Sequence, residues 1–428
     1  MSASLSYRLG LLGCLYFSQG LPFGFLSQAL PALLRSYDVS LEKIGLVSLV
    51  ALPWAFKFLW APYVDHYHWQ RLGQRKSWIL PMQGGFMLCL LALGALDPAS
   101  FSGSGFYGLL AILFVSNLIA ATQDIATDGL AVSSLSPQER GLANGVQVAG
   151  YRVGMLFGGA VILLLLEWLG WFSTFMTLAL MIVLVSVPLW WFREPASGPV
   201  LQHERPRNVF ILARQFLLQP GMWRWVLVIV VYKAGDAFGS AMTKPLLIDL
   251  GYSLEQVGWI SGGVGMGAGI AGALLGGWLI PRLGRVRALV GFGVLQAFSL
   301  LGFYWLATGL MTGLASALGA GSVTGDAALQ KVVMVTALEH FSGGLATAAL
   351  FTLMMDACRR PLAGTDYTLQ ASLQVVVAGV MHSASGFSAS ALGYEVHFVA
   401  SFLLGLVALL PILLWWPKAP QVQRDSWH

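Results

Sequence analysis

The chain has 428 residues, of which 57% are hydrophobic and only 10% charged, with a formal net charge of +5. Soluble domains carry about 25% charged residues, so this composition excludes a soluble enzyme and a nucleic-acid-binding domain. The basic excess reads as the orienting charge of a membrane protein.

Apolar runs of about 20 residues recur from end to end, each long enough to cross a bilayer as a helix. In chain order they predict spans at 8–30, 41–64, 78–97, 105–131, 140–166 and 171–192. After a polar break, further spans follow at 222–248, 253–279, 287–308, 331–356, 366–390 and 394–416. The expected fold is an all-α polytopic membrane protein of about 12 transmembrane helices. Residues 1–192 would form an N-terminal half, 193–221 a linker and 222–428 a C-terminal half. The first run continues into a full span without a small-residue cleavage site, so no signal peptide is expected. The segment 309–330 reads as an external connection, part of it extending the ninth helix.

Basic residues fall in alternate connections. Arg8, Arg71, Arg75, Lys76, Arg140, Arg193, Arg205, Arg207, Arg214, Arg282, Arg285, Arg287, Arg359 and Arg360 lie on one side, with Lys418 and Arg424 at the end. Asp97, Glu167, Asp249, Glu255, Asp326 and Glu395 lie on the other, where Arg35 and Lys43 are the basic exceptions. The positive-inside rule then puts both termini and the linker in the cytoplasm. Cys14, Cys89 and Cys358 sit in or beside apolar runs without metal-ligand spacing and read as small hydrophobes. The sequence has no phosphate loop, metal cluster or nucleophile elbow. Neither an enzyme, a cofactor nor an ATPase subunit is expected.

An ionisable residue at mid-membrane costs about 2.5–3.5 kcal/mol, so each should face a cavity or a partner. In the first span Tyr16 and Gln19 are candidates for lining a cavity, and in the second Lys57 reads as snorkelling or as a cation over Trp54 or Trp60. The fourth span ends in ATQDIATDG. There Asn117, Asp124 and Asp128 fall within about 40° on a helix. Asp128 lies near the cytoplasmic end, where interfacial water accounts for it. Asp124 is a turn deeper, a candidate proton carrier with Arg152 of the fifth span as its counter-charge. Asn144, Gln147 and Tyr151 share a face of that fifth span, which also carries Gly150, Gly154 and Gly158 at close-packing spacing. In the seventh span Lys233 and Asp236 are spaced to pair, Tyr232 precedes them, and Lys244 either faces an anionic solute or snorkels outward. Glu339 and His340 lie in the tenth span. Asp366, Tyr367, Gln370 and Gln374 open the eleventh, and His382 follows as a packing residue or proton relay. Asp124, Asp236, Glu339 and Asp366 are the candidate proton carriers, and no metal ligands are expected.

After the second span comes WAPYVDHYHWQRLGQRKSW, and after the eighth GGWLIPRLGRVRAL. Both hold a Leu-Gly turn followed by arginines. They resemble the loop signature of the major facilitator superfamily, carried here by Asp65, Gly73 and Arg75 and again by Arg282, Gly284 and Arg285, with Pro281 at the acidic position of the second copy. The resemblance implies two pseudo-symmetric six-helix halves that rock about a midplane site. These loop residues would act as a cytoplasmic latch. YFSQGLPFGF, FKFLWAPYVD, ATQDIATDG, ERGLANGVQVAGYRVGM, YKAGDAF and LEHFSGGLATAALFTLMMDAC look like the AmpG-type permeases and cover nearly the whole chain in order.

That family implies a multi-pass permease of the bacterial inner membrane. It would be a monomer that takes up a small-molecule solute from the periplasm with protons. The short chain, TDYTLQ at the start of the eleventh span and Lys244 resemble the siderophore-importing RhtX/FptX-type branch, making a ferric siderophore the first expected cargo. An anhydromuropeptide, as in AmpG-type permeases proper, is the alternative, followed by another organic solute. A non-transporting sensor or scaffold ranks last.

Overall fold

The computed structural model describes residues 4–40, 43, 46–69, 71–194, 208–309 and 326–415, which are helical almost throughout. The expected residues 41–42, 44–45, 195–207, 310–325 and 416–428, with Arg205, Arg207, Lys418 and Arg424 among them, lie outside the described residues. The spans are α1 (Leu5–Ala29), α2 (47–66), α3 (Lys76–Gly94), α4 (Gly105–Ser134), α5 (Pro137–Leu169) and α6 (Trp171–Trp191). Then come α7 (Met222–Asp249), α8 (Glu255–Leu283), α9 (Arg285–Ala307), α10 (Asp326–Asp356), α11 (363–392) and α12 (394–407). All are apolar helices in the expected order.

Three features differ from the expected set of separate, continuous helices, one of them the division of α7 into Met222–Tyr232, Ala234–Ser240 and Thr243–Asp249. α2 is broken into the 3₁₀ turns Val47–Ala51 and Lys57–Leu59 and the short α-helices Leu52–Phe56 and Ala61–His66. Pro53 and Pro62 each sit in the opening turn of one α piece. Proline has no N–H to continue the preceding turn, but its fixed φ suits the start of the next. α11 and α12 are joined through Gly393 alone, the one non-helical residue (φ 78°, ψ 165°) within 363–407. The linker also contains a helix, Val209–Leu217, which the sequence reading does not separate from the loop; Val209, Leu212 and Phe216 are buried while Phe210 and Ile211 are exposed.

The chain forms two compact units. The first comprises Met1–Ser136, Ala149–Arg214 and Ala357–Ser372; the second comprises Pro137–Val148, Gln215–Asp356 and Leu373–His428. The opening turns of α5 therefore belong to the second unit, and those of α11 to the first.

The first unit has a large apolar core in which Phe25 and Phe175 meet edge-on at 5.8 Å among Leu21, Phe86, Leu90 and Leu113. Its closest crossing is α1 on α5. A Cβ at Gly154 would stand 2.1 Å from the Phe17 carbonyl oxygen, and one at Gly158 2.0 Å from that of Leu21. At the Gly158 end of this crossing both helices widen into π-helical turns, Phe25–Ala29 and Phe157–Val161, which pack on each other. In the second unit α8 crosses α10 as closely: a Cβ at Gly272 would lie 2.0 Å from the Phe341 oxygen.

These contacts are backbone on backbone, so neither side can yield as a flexible side chain would. Gly154→Ala should therefore lower the thermal unfolding temperature of the detergent-solubilised protein, at a cost of about 1–3 kcal/mol. Gly10→Ala, where a Cβ meets nothing within 4 Å, should leave it unchanged or raise it slightly, as expected for alanine in an exposed helix.

Candidate functional site: buried charges in each unit

In the first unit α2 is tied to α4 by three side-chain contacts. Lys57, in the 3₁₀ turn at the α2 break, forms an ion pair with Asp124. Trp54 Nε1 donates to Asn117 Oδ1 at 3.0 Å, and Trp60 Nε1 to Thr122 Oγ1 at 3.1 Å. The Lys57 ammonium also lies 5.3 Å from the Trp54 ring centroid. Lys57 is 4% exposed and Asp124 7%. Lys57 thus does not snorkel to an interface. It occupies the place beside Asp124 that the sequence reading gave to Arg152, which is half-buried on α5.

The interfacial reading of Asp128 is also corrected. It is 2% exposed and accepts a 2.8 Å hydrogen bond from the Tyr16 hydroxyl of α1. The small residues around it, Ala121, Ala126 and Gly129, are buried and let neighbouring elements close over this stretch. Tyr151 of α5 lies within electrostatic range of Asp124, and Tyr367 of α11 within that of Tyr16. Gln19 is 1% exposed on α1. Ser18 links Gln83 of α3 and Gln123 of α4 at 3.3 and 3.0 Å.

A second set lies at the end of the first unit formed by the α2–α3 loop. Asp65 pairs with Arg75, as the sequence reading expects for a latch. Its Oδ2 accepts from Thr365 N at 2.7 Å and Thr365 Oγ1 at 2.6 Å, and its Oδ1 from Gly364 N at 3.2 Å. A carboxylate at the N–H groups opening a helix is stabilised by the helix dipole, so Asp65 holds the start of α11. The Arg75 guanidinium packs against Gly129, where a Cβ would come within 2.5 Å of Cζ. Gly73 takes φ +100°, which favours glycine, and a Cβ there would meet Glu194 at 2.0 Å. Glu194 Oε1 accepts from Arg75 N at 2.7 Å. Burial pushes the Glu194 carboxyl up, against the pull of Arg75 and Lys76. Asp366 is wholly buried in a two-pronged ion pair with Arg359, at 2.6 and 2.8 Å. The structure places this acid in a fork with Arg359 at the loop end.

The second unit repeats the plan with different residues. Gly284 has φ +81°, like Gly73 in the first copy. Arg285 follows it and reaches Asp356, at the end of α10, at 3.1 Å, as well as the Pro137 carbonyl that opens α5. Arg140 donates to the same carboxylate at 2.7 Å. Asp356 thus supplies the acid where Pro281 stands in the loop signature, a partner that spacing within the loop does not reveal. Arg282 is exposed and stacks on its own Trp278 at 3.7 Å.

The other predicted positions divide. Lys233 and Asp236 pair at 2.9 Å. Glu339 is 5% exposed and contacts His340. Tyr232 donates to the Leu289 carbonyl at 2.8 Å, and Gln374 bonds the Ile229 carbonyl. Asn144 is fully buried, donating to the Arg140 carbonyl at 2.8 Å and lying 3.3 Å from Met355 Sδ. Gln147 is 7% exposed. Gln370 donates to the Asp366 carbonyl at 3.1 Å. Lys244 and His382 are exposed.

Residues 12–374 match the sequence profile of the Major Facilitator Superfamily. The chain belongs to this superfamily. It is 32% identical to the anhydromuropeptide permease of Escherichia coli K12 over 408 residues, covering 94% of this chain and 79% of that one. An uncharacterised protein of Haemophilus influenzae is also 32% identical, over 100% of this chain and 99% of its own. Among solved structures, the transporter FucP in the outward conformation superimposes with a TM-score of 0.66 at 14% identity, covering 98% of this chain and 99% of that one. Within the superfamily the chain is an AmpG-like permease, a multi-pass secondary transporter.

Asp356 balances two buried guanidinium groups. Asp356→Ala would leave both without their carboxylate, a change that costs about 3–5 kcal/mol in buried networks. The expected result is a clearly lower unfolding temperature than for wild type, while Arg282→Ala, at an exposed position, changes it little.

Proposed function

We propose that this permease imports a sugar–peptide solute of the anhydromuropeptide type across the bacterial inner membrane, from periplasm to cytoplasm, by proton-coupled alternating access. The observation that carries the reading is the 32% identity to the anhydromuropeptide permease over 94% of the chain. The first unit supports it chemically. Trp54 and Trp60 are half-buried, with their N–H groups held by α4, which leaves aromatic faces suited to sugar rings. The cluster of Asp124 and Asp128 on the same helix α4 supplies the carboxyl group that takes the proton. Asp236 and Glu339 are the corresponding acids of the second unit. The pairs around Asp65 and Asp356 act as latches that open and re-form in each cycle. The permease works as a monomer with both termini cytoplasmic.

This reading revises the first expectation, a ferric siderophore. The features that favoured it were chain length, TDYTLQ and Lys244. Asp366 and Gln370 of that string are engaged at the loop end, and Lys244 is exposed. Neither adds an anion-binding charge to the Asp124 cluster.

The test is uptake into proteoliposomes under an inward proton gradient, comparing radiolabelled anhydromuropeptide with a radio-iron siderophore. The muropeptide should accumulate and a protonophore should abolish its accumulation. Uptake of the iron chelate in its place, or of neither solute, would overturn the reading.

A further inference from the structure

Asp128 stands apart from the other buried acids of the first unit. It is 2% exposed and lies one turn from Asp124 on α4, with the two carboxyl groups within hydrogen-bonding reach. Among the described residues Asp128 makes no ion pair, and the nearby cation, Lys57, is engaged by Asp124. The groups facing the cluster are Tyr16 from α1, Lys57 from α2, Asp124 from α4, Tyr151 from α5 and Tyr367 from α11. Arg152 follows Tyr151 on α5, half-buried.

Two carboxylates in hydrogen-bonding reach resist ionising together. An ionised carboxylate removed from water without a cation is also strongly disfavoured. Lys57 meets the charge of one acid and leaves the other unmet. We infer that Asp128 is the proton-binding residue of this cluster, and that Asp124 stays ionised against Lys57. The assignment rests on the proton-coupled reading above and locates its proton. On protonation a lone pair of Asp128 Oδ2 takes the proton, while Tyr16 keeps its own and continues to donate to Oδ1. The cluster loses one negative charge and no other bond changes.

A second observation concerns the polar groups that neighbour Tyr16 and Asp128 in the chain. Gln19 lies one turn along α1 from Tyr16 and is 1% exposed, yet neither its amide nitrogen nor its amide oxygen has a hydrogen-bond partner among the described residues. The Thr127 hydroxyl, buried next to Asp128, is in the same condition. Buried polar groups are almost always bonded to protein or water. An orphaned amide one turn from Tyr16 and an orphaned hydroxyl next to Asp128 in the chain are groups that water or solute entering this region would satisfy.

Infrared difference spectroscopy of the purified protein in lipid nanodiscs, stepped across neutral pH, tests this without any solute. The protonated-carboxyl band should be present in wild type and lost in Asp128→Asn. It should shift in frequency in Tyr16→Phe, which removes a hydrogen bond and keeps the acid. In Lys57→Met a second such band should appear, because Asp124 loses its counter-charge. A band unchanged in Asp128→Asn or unshifted in Tyr16→Phe overturns the assignment, as does Lys57→Met without a new band. If labelled muropeptide is not taken up by wild type, the solute reading falls while the spectra still decide where the proton sits.

Discussion

Placing a charge inside a membrane helix costs about 2.5–3.5 kcal/mol, and removing one partner of a buried ion pair costs about 3–5 kcal/mol. With these penalties, the buried acids and bases largely dictate which helix segments come together. Lys57 commits the broken α2 to α4, Asp65 commits the start of α11 to the α2–α3 loop, and Asp356 gathers Arg140 and Arg285 at the start of α5. In the last two cases the held segment is the opening of a helix whose remainder belongs to the other unit. Two of these three charge clusters thus lie where the chain passes from one unit to the other.

The same scarcity of charge explains the remaining packing. With few polar contacts available, α1 on α5 and α8 on α10 hold by close backbone approach at glycines, the usual solution where lipid removes the hydrophobic advantage of burying side chains. α2 departs from this pattern. Its prolines break the helix into turns, and Lys57 sits in one of them. A helix interrupted inside the membrane is tolerated where protein or a polar cavity surrounds it. Here the tryptophan and lysine contacts to α4 satisfy that condition.

Much of the fold was legible in the sequence because lipid imposes a simple rule: long apolar runs become helices, and all the spans appear in the expected order. Where a single residue decides the conformation, as at Pro53, Pro62 and Gly393, the apolar run looks the same whether or not the helix breaks. Pairs close in sequence were also readable: Lys233 with Asp236 by helical spacing, and Asp65 with Arg75 by the loop signature. Pairs distant in sequence were not. Lys57 precedes Asp124 by 67 positions, Arg140 precedes Asp356 by 216 and Arg75 precedes Glu194 by 119. Helical faces alone gave Asp124 a cation from the wrong helix. Asp128 was misread for a related reason. Its distance from the end of the apolar run suggests interfacial water, but the small residues around it allow the neighbouring helices to bury it.

The central claim is that α2 is held to α4 by the Lys57–Asp124 ion pair. A charge-reversal cycle tests it most directly, by comparing unfolding temperatures of Lys57→Asp, Asp124→Lys and the double exchange. Each single change places two like charges in one buried site and should destabilise strongly, and the exchange should recover a large part of the loss. An exchanged protein no more stable than the sum of its single variants, or single variants that melt like wild type, would contradict the account.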